Sequence, residues 1–179
     1  MAAITFACSL GATSTVAAPE QAEMTGISNF SKIEDASSFA GPLVGFGGAT
    51  LPAAMPSLKA AGFTTVINLR MAGEEDADIE ANRAAADQAG LHFVHLPLDT
   101  DSPDPAVMNT FLATLGSSEY QPVYIHCGSA TRAGALWMIG RVLEDGWEIE
   151  AASAEVEVIA EKPSAAIAFA TGYLASRSK

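Results

Sequence analysis

Positive charge is scarce in this sequence. Nine Lys and Arg stand against 21 Asp and Glu, for a formal net charge of −12. The basic residues form no run. Nucleic acid is therefore excluded as a partner, because its phosphates need clustered Lys and Arg to neutralise them. An anionic membrane surface is excluded on the same ground. Cysteine is scarcer still: only Cys8 and Cys127 occur, and the histidines His92, His95 and His126 are scattered. No metal-ligand spacing results, so neither a metal nor another cofactor is called for. Charge of either sign makes up only 17% of the chain, against 49% apolar residues. That balance excludes a disordered chain, and 179 residues suit one domain better than two.

The ends of the sequence differ in character. Ala2 to Ala18 is small, apolar and uncharged, with Ile4, Phe6, Leu10 and Val16 among Ala, Ser and Thr. It is too short and too polar for a membrane span. Residues 1–22 are expected to be a signal peptide, or else a disordered leader. In the first case Cys8 leaves with it, the mature form does not touch a membrane, and the protein is periplasmic or secreted. In the second it is cytoplasmic. Residues 23–41 read as a linker, and 42–179 as a single domain.

Within that domain strands and helices alternate. Strands are expected at 43–46, 64–69, 92–98 and 122–126. Helices are expected at 52–61, 77–89, 105–115, about 132–145, 148–160 and 163–176. Asp104 is placed to cap the third helix, with Pro105 at its first position. Gly90 stands where a left-handed stop belongs. Alternation of this kind predicts an α/β fold with a central, mostly parallel sheet of about four or five strands flanked by helices. Ligands of such sheets sit beyond the carboxyl ends of the strands.

One strand end carries chemistry. Tyr124-Ile-His-Cys127 leads into Gly128-Ser-Ala-Thr131 and Arg132, and a helix follows. Consecutive N–H groups from Gly128, Ser129, Ala130, Thr131 and Arg132 converge on one concavity, backed by a helix N-terminus, which binds an oxyanion. Arg132 can fork onto two of its oxygens. A helix N-terminus beside a cation also favours thiolate over thiol, giving Cys127 nucleophilic character without a dedicated base. His126 points to the opposite face of the strand and reads as structural.

The run His126-Cys127-Gly-Ser-Ala-Thr-Arg132 resembles the signature loop of the cysteine-dependent protein tyrosine and dual-specificity phosphatases. It is most similar to a bacterial subgroup related to the phosphatase-like domain of β-lactamase-hydrolase-like proteins. Thr65-Val-Ile-Asn-Leu-Arg70, Pro97-Leu-Asp99 and Arg132-Ala-Gly-Ala-Leu-Trp137 share in the likeness. The resemblance implies a phosphocysteine intermediate on Cys127, oxyanion binding by Arg132, an aspartic acid from a separate loop, and a phosphorylated small molecule or phosphoprotein as substrate. Two departures stand out. Four residues separate Cys127 from Arg132, where most members have five. Ala133 follows the arginine, where most members carry Ser or Thr.

The general acid is expected from Asp99-Thr-Asp101-Ser-Pro-Asp104, because a leaving ester oxygen needs a proton. Asp99 is the first choice and Asp101 the second, while Asp104 is accounted for as a cap. Arg70, followed by Glu74, Glu75 and Asp76, reads as a solvated ion pair. Trp137 and Trp147 read as packing residues. Two alternatives stay open: the short loop also resembles that of rhodanese sulfurtransferases, with a persulfide on Cys127, and Ala133 is compatible with a non-catalytic phosphate-binding module.

Overall fold

A computed structural model describes residues 17–177. The expected leader therefore lies mostly outside the described residues, and Cys8 wholly so. In chain order the elements are β1 (Glu20–Gln21), β2 (Ser31–Glu34), β3 (Leu43–Gly47), α1 (Met55–Ala60), β4 (Thr65–Asn68), α2 (Ile79–Gln88), β5 (His92–His95), α3 (Pro105–Gly116), β6 (Val123–His126), α4 (Thr131–Leu143), α5 (Ile149–Ile159) and α6 (Pro163–Arg177). The strands form one sheet in the order β1-β2-β3-β6-β4-β5.

The four strands expected from the sequence run parallel, with β6 between β3 and β4. Both β4 and β6 are buried at every position. Unbroken burial fits strands covered on both faces. The side chains still alternate between two cores. Ile67, Val123, Ile125 and Cys127 enter the larger core, built with α3, α4, α5 and α6. Val66 and Tyr124 enter a smaller one with Met55, Leu58, Phe63 and Leu91. Gly47 lets the Tyr124 ring pass: a Cβ there would stand 2.0 Å from the phenol oxygen.

The segment 23–41 is not a linker. It supplies β2, which pairs antiparallel with β3, and β1 pairs antiparallel with β2. The sheet thus has six strands rather than four or five. The reason lies in a short period-two pattern. Ser31 and Ile33 are fully buried, whereas Lys32 and Glu34 face outward and pair with each other. Asn29 reinforces the join by donating to the Ile159 carbonyl at 2.7 Å.

The helices fall close to their expected spans. Asp104 caps α3, its Oδ1 accepting from Ala106 N–H at 2.8 Å. Gly90 follows α2 with φ of +70°. From Ala133 to Arg141 helix α4 is buried all round. A helix enclosed on every side needs apolar or small residues at every turn, and Ala133, Gly134, Ala135 and Gly140 provide the small ones. Trp137 packs edge-on to Phe46 and stacked on Phe39, which bears out its reading as a packing residue. Among the described residues no helix is long and apolar enough to cross a membrane.

Candidate active site

Every parallel strand ends at the same edge of the sheet, and four loops meet there. The loop after β6 is the cup. Its floor is fixed by main-chain bonds: Cys127 N–H donates to Gly47 O at 3.2 Å, Ala49 N–H to Gly128 O at 3.0 Å, and Glu161 N–H to Ser129 O at 3.2 Å. The loop after β3 thus braces one side, and the α5–α6 connection braces the other. Ala130 takes a left-handed conformation (φ 57°, ψ −1°) just before α4, and no side chain caps that helix. Its first N–H groups thus receive no side-chain cap. The Ser129 and Thr131 hydroxyls lie 3.0 Å apart within the same turn.

Cys127 is the free cysteine of the described residues and is almost wholly shielded. It does not stand in apolar surroundings alone. Arg132 lies near enough for its charge to respond to the thiol. Burial works against the guanidinium charge, but the bonds to Glu74 and the influence of Cys127 outweigh it and raise the arginine above its ordinary value.

The position of Arg132 depends on a residue that the sequence reading gave no role. Glu74 receives both arms of the guanidinium, Nη1 to Oε1 at 2.6 Å and Nη2 to Oε2 at 2.8 Å. Nη1 also donates to the Leu69 and Leu98 carbonyls at 3.1 and 3.3 Å. Arg70 grips the same carboxylate, Nε to Oε2 at 3.2 Å, and donates to the carbonyls of Asp76 and Glu75. Only 8% of its side chain is exposed. Arg70 and Glu74 are therefore not the solvated pair that the sequence suggested: the loop after β4 folds back over the strand end and encloses them. Burial pushes the Glu74 carboxyl up. Bonds from Arg132, Met71 N–H and Arg70 outweigh that and hold it at about 2.

His126 lies on the far face of β6, stacked on Tyr124 with ring centroids 5.7 Å apart. Burial pushes its imidazole down to about 3. The backbone of Cys127 and Gly48 opposes this only in part, since neither ring nitrogen makes a hydrogen bond of full geometry. A neutral, sealed ring moves no proton at neutral pH. Tyr124 in turn meets Thr50, hydroxyl to hydroxyl, at 2.8 Å.

A cleft of about 550 Å³ opens over the cup. Ser129, Thr131 and Arg132 line one side, and Asp99 and Asp101 line another. The structure thus gathers both carboxylate candidates and the arginine around one space. Asp99 Oδ1 accepts from Asp101 N–H at 2.9 Å, so the two are held in one turn. Asp104 stays with its helix cap. Met71, Lys162, Ala165, Ala166 and Phe169 are among the other residues that line it. Lys162 sits just before α6 and Phe169 on it, far along the chain from the motif, and neither carries a sequence signal of its own.

The chain is similar to several known proteins. A beta-lactamase hydrolase-like protein of Agrobacterium fabrum is 32% identical over 99 residues. The match spans 54% of this chain but 23% of that relative. The chain thus accounts for about a quarter of the length of the curated relative it matches. Among solved structures, a P. aeruginosa TpbA variant with cysteine replaced by serine, in complex with phosphotyrosine, superposes with a TM-score of 0.64. It is 19% identical and covers 89% of this chain and 92% of that one. The core catalytic domain of the PP-IP phosphatase SIW14 from S. cerevisiae gives a TM-score of 0.57 at 14% identity, covering 83% and 79%. Together they place the fold among those of the cysteine-dependent phosphatases. The family model described as "Beta-lactamase hydrolase-like protein, phosphatase-like domain" matches residues 48–144, more than half of the sequence, and the chain belongs to that family.

Proposed function

We propose that the protein hydrolyses phosphomonoesters through a phosphocysteine on Cys127. The observation that carries this reading is the convergence of the Cys127 loop, Arg132 and two aspartates on one cleft. The phosphate enters the cup and is held by the N–H groups of residues 128–132, while the guanidinium of Arg132 stabilises its equatorial oxygens. The Cys127 sulfur forms a bond to phosphorus as the ester oxygen departs. That oxygen takes a proton from Asp99 or Asp101. Water then attacks the phosphocysteine and gives a proton to that aspartate, breaking the S–P bond, restoring the thiolate and the acid, and releasing inorganic phosphate.

The arginine is preorganised for this. Glu74 holds its two Nη atoms, so little rotamer freedom is lost when the anion arrives. The phosphotyrosine bound by TpbA supports an aryl phosphate as one substrate. The family match favours phosphoester chemistry over the sulfurtransferase alternative.

The test is hydrolysis of p-nitrophenyl phosphate, with Cys127→Ser expected to abolish turnover and to retain phosphate binding. Activity in that variant equal to wild type would sink the reading. Asp99→Asn and Asp101→Asn, assayed on an ester with a poor leaving group, identify the acid: its loss costs about 10²- to 10³-fold, and less on the activated p-nitrophenyl ester.

A further inference from the structure

The cleft is far larger than a phosphate, and its unassigned wall has a definite chemistry. Lys162, Ala165, Ala166 and Phe169 all line it. Their spacing puts them on one face of α6 and its lead-in, a strip of about 10 Å at 1.5 Å per residue. The near end of this strip is fixed to the cup, because Glu161 N–H donates to Ser129 O. Lys162 is the next residue.

Lys162 also stands apart from the other basic residues. Five of these are in ion pairs: Lys32, Arg70, Arg83, Arg132 and Arg141. Lys59 and Arg177 each donate a hydrogen bond. Among the described residues, Lys162 is the one basic side chain with neither kind of partner. It is exposed, in a chain of net charge −12, and lines the same cleft as Arg132. The first turn of α6 carries no acidic residue to neutralise it. Asp99 and Asp101 line the cleft too but offer an anion no cation, which leaves the α6 side as the place for one.

From this we infer that Lys162 recognises a second anionic group on the substrate, within about 10 Å of the phosphorus, a reach set by one backbone step plus an extended lysine side chain. The substrate class is a phosphomonoester with an additional carboxylate or phosphate, its body lying along Ala165, Ala166 and Phe169. The inference rests on the phosphatase reading and adds a specificity residue to it.

The experiment compares kcat/KM for phenyl phosphate, a carboxylated phenyl phosphate and a phenol bisphosphate. Wild type is expected to prefer at least one doubly charged ester over phenyl phosphate. Lys162→Gln is expected to lower that preference about fivefold, Lys162→Arg to keep it, and about 0.5 M salt to shrink it. Because the readout is a ratio within each variant, it does not depend on the fraction of folded enzyme. The doubly charged ester whose preference falls identifies the group as carboxylate or phosphate. A ratio unchanged in Lys162→Gln for both esters overturns the inference and leaves the phosphatase reading standing. No turnover of any ester by wild type overturns both.

Discussion

Helix α4 carries two arginines, about two and a half turns apart, and their fates differ. Both are held by a carboxylate fork. Arg141 meets Glu155 through Nε and Nη2, each at 2.9 Å, and reaches Asp145 at 2.9 Å. Trp137 and Trp147 close over its two faces, 4.5 and 4.1 Å from the guanidinium carbon. No part of its side chain is exposed. Arg132 meets Glu74 end-on, through Nη1 and Nη2, and keeps 17% exposure while lining the cleft. A fork alone thus does not decide whether an arginine is sealed in or left open. What differs is the remaining surface of the guanidinium: aromatic rings seal one arginine into the core, and the open cleft lies beside the other.

The largest effects test this contrast directly. Arg141→Met takes the cation from buried Glu155 and half-buried Asp145 and is expected to cost about 3–5 kcal/mol of unfolding free energy, read by denaturant titration. Activity per folded molecule should be retained. Arg132→Lys should do the reverse. Its point charge cannot fork, and kcat/KM is expected to fall about 10²- to 10³-fold with little change in the unfolding midpoint. If Arg132→Lys proved the more destabilising of the two, the division between core and site would fail.

A smaller effect follows at Glu74. As a positioning residue, its change to Gln should lower kcat/KM about tenfold. The pH dependence separates this from a general structural role. The Glu74 carboxyl titrates at about 2 in the folded protein against 4.5 when free. Between these values the unfolded chain binds more protons. The stabilisation is therefore complete above about 4.5 and is lost as pH falls toward 2. Glu74→Gln should lack that part of the acid transition.

The smallest effect near neutrality concerns His126. Its folded value of about 3 lies below the ordinary 6.5, so it too stabilises at high pH and loses this as pH falls below 6.5. Lowering the pH from 7.5 to 6 should cost wild type about 1 kcal/mol through this residue, and His126→Phe should remove that slope.

Much of this was legible in the residues. The buried strand, the turn of small residues and the helix after Cys127 are local in sequence, and so is the Asp104 cap. Long-range partners were not. Glu74 sits in a run of acids that reads as solvated, and only the fold brings it to Arg132, 58 positions away. Strand β2 hid because two of its four residues are charged and its partner β1 has only two residues. The α6 wall was silent because Lys162 and Phe169 become informative only once the cleft exists. Local pattern specifies elements, whereas the site is completed by loops that meet at one sheet edge.

The central claim is that Cys127 carries the phosphoryl group. Mixing wild-type protein with an aryl phosphate, quenching in acid during turnover and analysing the peptides by mass tests it most directly. The account predicts a phosphate adduct on the peptide bearing Cys127, absent from Cys127→Ser. Steady turnover with no adduct at any quench time, together with undiminished activity in Cys127→Ser, would contradict it.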